Sequence, residues 1–374
     1  MKIKHKKIVI TGGTGFIAQE LVRFFGRENK VVLFTRGSTG AHNNNFSNDL
    51  SVSPSDYNVS YCKWDAISIE NHWSKELEGA DLLINLAGQT VNCRYTEKNK
   101  QALLDSRIIP TRILARAITQ CQSPPKVWIN ASSATIYRNE YERANDEDNG
   151  IICLERNQNM PFSVLDRIRY SLKRAFISLT LSNRSEKLAS LEEDISVKVC
   201  TAWEKVFFDS TTPQTRKVAL RTAITLGTNG VLVPYKRLAK LGLGGKQGTG
   251  RQMFSWIHIE DLARIIDWVY ENQETGNVVN CSSPNPVTNR EFMSTMRRVL
   301  KVKWGIPSPK WILEIGAKLI GTETELLIKS RWVVPKKLIQ SGFQFKYPQL
   351  NEALESLLSK DEKTISKIET LQTT

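Results

Sequence analysis

Residues Lys7 to Ala18 read KIVITGGTGFIA, an apolar β-branched run that enters a glycine turn almost at the start of the chain and leads into an amphipathic segment. The spacing predicts a strand over Lys7–Thr11, a tight turn at Gly12, and a helix whose apolar positions include Phe16, Ile17, Leu21 and Phe24. Gly12 permits the turn, Gly15 lets backbone N–H groups approach a pyrophosphate, and the helix N-terminus adds partial positive charge. The pattern is Gly-x-x-Gly-x-x-Ala, with Ala18 where a third glycine would usually allow close helix packing. Alone, such a fingerprint could be an ordinary strand-turn-helix connection. Between a strand and a helix it reads as the entrance to a dinucleotide site.

Strands and helices alternate through the first two-thirds of the chain. Further strands are expected at Lys30–Thr35, Val59–Lys63, Asp81–Leu86, Lys126–Ala131 and Lys217–Thr222, with a long helix at Thr96–Thr119. That alternation predicts an α/β fold, a parallel sheet with helices on both faces. Residues 37–57, rich in Asn, Ser and Gly, read as a surface loop. From Val231 the chain becomes basic and glycine-rich (VPYKRLAKLGLGGKQGTGRQ), which marks the start of a smaller second domain. The expected division is 1–230 and 231–374. A helix at Asp261–Tyr270 and a strand at Asn277–Cys281 should return residues 256–284 to the first sheet. Helices are expected at Asn289–Leu300, Lys310–Leu319 and Leu350–Leu358, with a frayed polar tail beyond Ser359.

The formal net charge of +14 attracts phosphate-bearing partners without naming one. Lys and Arg are spread without a nucleic-acid module or an aromatic-basic repeat, so nucleic acid is not the expected partner. A solvated basic surface, part of which serves an anionic cofactor or substrate, is the simpler reading. No stretch has the length and purity of a membrane span, and the basic N-terminus lacks the apolar run of a secretory leader. No membrane partner is expected. Cys62, Cys93, Cys121, Cys153, Cys200 and Cys281 are scattered, which fits reduced thiols in a cytoplasm. With only His5, His42, His72 and His258 available, and none in a ligand cluster, no metal is expected.

TGGTGFIA, NLAG at Asn85–Gly88, ASSATIY at Ala131–Tyr137 and SWIHIEDLAR at Ser255–Arg264 occur in the order and spacing of the extended short-chain dehydrogenase/reductase family. More narrowly, INLAG, the DSR of Asp105–Arg107, CTAWE at Cys200–Glu204, LGLGGKQGTGRQMFSWIHIEDL and NPVTN at Asn285–Asn289 resemble the atypical YfcH-like branch of epimerase-family proteins, which carries a C-terminal domain of unknown function. Residues 150–193 stand apart as an insertion, and the apolar period of Leu165, Ile168, Leu172, Phe176 and Leu179 predicts a helical lid or contact surface there.

The resemblance implies a Rossmann-type doubly wound sheet that binds NAD(P), with a smaller C-terminal α/β substrate domain. Carried over residue by residue, it places Gly12, Thr14, Gly15, Phe16 and Ile17 around the pyrophosphate. Asp65 falls near the adenine, Ala87 and Gly88 beside the cofactor ribose, and Ser133 at the active-site serine. Asp65 serves equally well as a local turn residue. Arg36, at the end of the second strand where NAD-specific sites carry a carboxylate, suits the 2′-phosphate and predicts NADP(H) in preference to NAD(H).

The family's Tyr-x-x-x-Lys pair is missing. Tyr170 and Lys173 are one residue too close to replace it. Its helix corresponds to Ser196–Phe208, where Cys200 and Glu204 are four apart and share one face. They could occupy the tyrosine and lysine slots, or Cys200 and Trp203 could simply be core. Arg107, on the long helix after NLAG, either reaches the site or pairs with a carboxylate. Arg251 could clamp an anionic substrate or lie on the surface, and His258 could face substrate or serve structure. The sequence thus points to an NADP(H)-dependent oxidoreductase or epimerase-like enzyme on an unidentified small molecule, anionic if the arginines bind it. The alternative is a non-catalytic NADP(H)-binding regulator or sensor.

Overall fold

The computed structural model describes residues 3–37, 56–152, 194–309, 313–314 and 329–359. The insertion beyond residue 152, most of the loop at 37–57, and most of the helix expected at Lys310–Leu319 lie outside them. In chain order the strands are β1 (Lys7–Thr11), β2 (Lys30–Thr35), β3 (Val59–Lys63), β4 (Leu82–Asn85), β5 (Val127–Ser133), β6 (Arg216–Thr222), β7 (Ile224–Leu226), β8 (Met253–Phe254), β9 (Trp256–His258), β10 (Val278–Cys281) and β11 (Val287–Thr288). The helices are α1 (Phe16–Phe25), α2 (Asn71–Ser74), α3 (Glu97–Ile118), α4 (Ile195–Asp209), α5 (Leu232–Lys240), α6 (Ile259–Glu271), α7 (Asn289–Val299), α8 (Lys336–Gln340) and α9 (350–359).

Among the described residues, seven strands form one sheet in the order β10-β6-β5-β4-β1-β2-β3, and every pairing is parallel. Strand order reverses between β1 and β4, so the crevice of a doubly wound sheet opens beyond their carboxyl ends. Side chains alternate across the sheet as a period of two requires. Ile8, Ile10, Val31, Leu33, Leu82 and Ile84 point to one face. There they meet Leu21 and Phe25 of α1 and Leu262, Ile265 and Val269 of α6. Val9, Val32, Phe34, Leu83 and Trp128 point to the other, against Leu114 and Ile118 of α3 and Phe207 of α4.

β10 joins the sheet beside β6, while β9 pairs in parallel with β7 and β8 in antiparallel with β11. Phe254 stacks on Phe292 with ring centroids 4.1 Å apart, and Tyr235 meets Phe292 edge-on. These rings belong to the same buried cluster as the α1 face of the sheet, so the C-terminal elements share a core with it. Residues 329–334 run back across the first part of the chain. Ser255 Oγ accepts the Val333 N–H (2.8 Å), and Asn145 N–H donates to Trp332 O (2.7 Å).

Candidate functional site: a glycine turn and a buried polar end

Gly12 leaves β1 with φ of +69°, a conformation that costs other residues strain. A Cβ there would lie 2.9 Å from the Leu86 carbonyl oxygen, so glycine lets the turn after β1 pass close to the backbone that follows β4. Gly13 N–H donates to Phe34 O (3.0 Å) and Gly15 N–H to Gly12 O (2.9 Å), which closes the turn. Gly15 is the N-cap of α1 and no side chain caps that end. The first-turn N–H groups therefore lack a side-chain acceptor, and Thr14 and Gly15 are exposed beside them. That arrangement fits a pyrophosphate. Gln19 braces the turn by donating to Gly13 O (2.6 Å), while its buried Oε1 has no partner among the described residues. Phe16 lies over Gly227 and Gly230, and Ile17 packs against the core.

A buried polar network backs this turn. Asn85, at the end of β4, accepts from the Thr11 hydroxyl (2.7 Å) and the Ala87 N–H (3.2 Å). Its amide donates to Asn130 (2.6 Å) and Thr111 (3.2 Å). Thr11 accepts the Leu86 N–H (3.1 Å), and Thr111 accepts the indole N–H of Trp203 (3.0 Å). The ends of β1, β4 and β5 are thus tied to α3 and α4, and Ala87 and Gly88 are held at the crevice. A Cβ on Gly88 would come within 3.3 Å of the Arg107 guanidinium.

Arg107 is half-buried, stacks 5.3 Å from the Trp203 ring, and donates to Leu103 O and Gln89 O (both 3.0 Å). Among the described residues it has no carboxylate partner. Burial pulls its pKa below the usual value, against the opposing influence of the nearby Cys200 thiol. Ser133, at the end of β5, accepts from the Thr135 N–H (3.2 Å) and from its hydroxyl (3.0 Å). Thr135 Oγ1 in turn lies 3.5 Å from Cys200 Sγ. Burial raises the Cys200 thiol; the Thr135 hydrogen bond and Arg107 offset this in part.

Glu204 points into the protein. Arg221 grips both of its carboxylate oxygens (2.9 and 2.7 Å), and Ser132 donates to one of them (2.6 Å). Arg221 extends the chain to Tyr137 OH (2.9 Å), which donates to Asn280 (2.9 Å). At the start of α4, Asp194 caps Ser196 and Val197 and pairs with Arg331 (2.7 Å) and Lys329 (3.0 Å). Burial opposes ionisation of Asp194, but Arg331 and Lys329 hold its pKa below the usual range.

The remaining predicted site residues lie apart from this cluster. Arg36 follows β2 directly and is exposed. Asp65 closes a local turn, accepting from Ile67 N–H (2.8 Å), Ser68 N–H (3.0 Å) and the Ser68 hydroxyl (2.5 Å). Arg251 is exposed. His258 is buried at the N-cap of α6, accepts the Glu260 N–H (3.1 Å), contacts Ser356 (3.1 Å) and stacks on Tyr347 at 3.9 Å.

Comparison with known proteins sets this geometry in a family. Residues 8–172 match the NAD dependent epimerase/dehydratase family, and residues 308–357 match the domain of unknown function DUF1731. The epimerase family protein YfhF of Bacillus subtilis is 32% identical over 363 residues, covering 96% of this chain and 99% of the relative. The chain belongs to the NAD-dependent epimerase/dehydratase family. The human epimerase family protein SDR39U1, solved with NADPH, superposes with a TM-score of 0.69 at 25% identity, over 94% of this chain and 98% of that one. UDP-glucuronic acid 4-epimerase from Bacillus cereus shares the fold, with a TM-score of 0.65 at 14% identity, over 96% of this chain and 99% of that one.

Of the residues predicted from the sequence, successive contacts link Gly12 to Ala87, Gly88 to Arg107, Arg107 to Cys200, and Cys200 through Thr135 to Ser133. Sequence reasoning missed Thr11, Thr111, Asn130, Thr135 and Arg221. Asn85 and Asn130 did carry a signal: in LLIN and VWIN an asparagine follows an apolar strand run, which reverses the polarity expected at a buried strand position. Arg221 had the same signal inside KVALRT.

Proposed function

We propose that the protein binds NADP(H) in preference to NAD(H) and acts on a small anionic substrate by oxidoreductase or epimerase-like chemistry without a tyrosine–lysine pair. The observation that carries the cofactor preference is Arg36: exposed, just past the carboxyl end of β2, and without a carboxylate partner among the described residues. A guanidinium there matches a 2′-phosphate, where a carboxylate would favour a free ribose hydroxyl. The glycine turn and the uncapped end of α1 suit the pyrophosphate. Bound nicotinamide supplies or accepts hydride.

On the protein side, Ser133 accepts from Thr135, so its own hydroxyl hydrogen is free to donate to a substrate oxygen. Thr135 Oγ1 also lies 3.5 Å from Cys200 Sγ, so the thiol adjoins the serine through one hydroxyl. Arg107, a cation without a carboxylate partner beside Gly88, supports an anionic substrate.

Calorimetry with NADPH and NADH tests the reading. Native protein should prefer NADPH by about 1.5–3 kcal/mol, roughly ten- to a hundredfold. Arg36→Asp should abolish or invert that preference; equal affinities in the native protein would sink it. The engagement of both Glu204 oxygens by Arg221 favours a second reading, a non-catalytic NADP(H) sensor. Tight NADPH binding with no turnover across carbonyl compounds and nucleotide sugars would select it.

A further inference from the structure

Far along the chain, two loops lie side by side on a ladder of backbone hydrogen bonds. Ile306 N–H donates to Gly242 O (2.8 Å), Gly245 N–H to Ile306 O (3.1 Å), Ser308 N–H to Lys246 O (2.9 Å) and Gly248 N–H to Ser308 O (2.9 Å). Glycine makes the approach possible: a Cβ on Gly305 would lie 2.8 Å from the Gly244 carbonyl carbon, and one on Gly242 2.7 Å from the Trp304 ring. The Arg297 guanidinium bonds Gly244 O beside them. What these loops present is therefore held in place.

They present apolar side chains to water. Leu241 is 71% exposed, Trp304 63%, Ile306 51% and Leu243 41%. Single exposed apolar residues need no explanation, but four on one hydrogen-bonded platform mark a contact surface. The rim is cationic. Lys240 adjoins Leu241, Lys301 and Lys303 precede Trp304, and all three are exposed without a carboxylate partner among the described residues. Neither 231–259 nor 292–313 contains a single Asp or Glu, while each carries five Lys and Arg. Glu355 lines a groove with Arg298 and Lys301, and is engaged by Asn351 (2.7 Å).

We propose that this lysine-rimmed apolar platform docks the protein peripherally on an anionic lipid bilayer. An indole ring settles at the headgroup level with its apolar body inward, and lysines around it meet lipid phosphates. A second copy of the chain is the poorer occupant. A two-fold contact through this patch would set its unpaired lysines against their own kind, with no acidic residue on either loop to relieve them.

The test is co-sedimentation of the full chain with vesicles of phosphatidylcholine alone and of phosphatidylcholine mixed equally with phosphatidylglycerol. Binding should appear on the anionic vesicles, weaken with salt, and be absent on phosphatidylcholine. Leu241→Gln/Trp304→Gln and Lys301→Glu/Lys303→Glu should each lower it about tenfold or more, with the unfolding midpoint unchanged because all four side chains are exposed. Absence of binding at low ionic strength overturns the proposal. So does equal binding by both variants, since the charge elsewhere on the molecule would then suffice. A native dimer that Leu241→Gln/Trp304→Gln converts to monomer would assign the platform to self-association and overturn it too.

Discussion

At the ends of β1 and β2 the site is made of backbone: the positive-φ turn at Gly12, the uncapped N-terminus of α1, and carbonyls that fix the loop. At the ends of β5 and β6 it is made of side chains that hold one another: Ser133 with Thr135, Thr135 with Cys200, and Glu204 with Arg221. The first region is a backbone geometry that the sheet enforces, whatever side chains surround it. In the second, Cys200, Glu204 and Arg221 are buried, so the Glu204–Arg221 pair must be satisfied internally, while Ser133 and Thr135 are half-buried at its edge. Damage to the two regions should therefore differ in kind: lost ligand affinity in one, lost stability in the other.

Glu204→Leu puts the largest strain on that contrast. It leaves Arg221 as a buried cation without its carboxylate and removes the acceptor of Ser132. Denaturant unfolding should report a loss of about 3–5 kcal/mol, while the remaining folded protein binds NADPH as before. Adding Arg221→Met should recover most of the loss, because the pair's desolvation disappears with it. A single variant as stable as native protein would show that the β5–β6 end is not held by this pair.

Gly12→Ala is the converse case. The left-handed backbone at position 12 costs an alanine about 1–3 kcal/mol, and its Cβ would press on Leu86 O. Stability should fall by less than in Glu204→Leu, yet calorimetry should show NADPH affinity collapsing, since relief of the clash moves the N–H groups that we propose meet the pyrophosphate. Unimpaired NADPH binding in Gly12→Ala would dissolve the distinction between the regions.

The same contrast explains what the sequence disclosed. A backbone site has a local signature: KIVITGGTGFIA specified strand, turn and helix, and the observed β1 is Lys7–Thr11 as read. The alternation of β-branched runs likewise gave β2 and β3 at their observed bounds, and placed the β10 segment in the sheet. The β5–β6 end has no such signature because its partners are far apart in sequence. Glu204 reads as a slot on a helix until β6 delivers Arg221, and Cys200 as a lone thiol until β5 brings Thr135. Arg107 left two readings open, and its donors go to the Leu103 and Gln89 carbonyls, contacts that no local sequence pattern announces. The platform of Leu241 and Trp304 escaped for the same reason. A search for spanning segments detects continuous apolar runs, whereas these side chains stand on two loops joined only by folding.

Cys200 gives the smallest and most discriminating test of how far the β5–β6 end is closed to chemistry. Burial raises its thiol pKa, with Thr135 and Arg107 opposing and Glu204 adding to the rise, so at neutral pH the sulfur carries its proton. Alkylation by iodoacetamide at neutral pH should be about tenfold or more slower at Cys200 than at the half-buried Cys93, because only thiolate attacks and access is restricted. The sign also fixes a stability trend. A folded-state pKa above the unfolded one contributes stability below the ordinary thiol range, and that contribution is lost as the pH rises through it. Cys200→Ala should flatten part of that fall at a cost of only about 1 kcal/mol for the missing sulfur, with NADPH affinity unchanged. Rapid alkylation of Cys200 at neutral pH would mean an accessible thiolate. The β5–β6 end would then be an open nucleophilic site rather than a closed polar core, and the difference between the two regions would have to be redrawn around Arg107 as the cation that stabilises the thiolate.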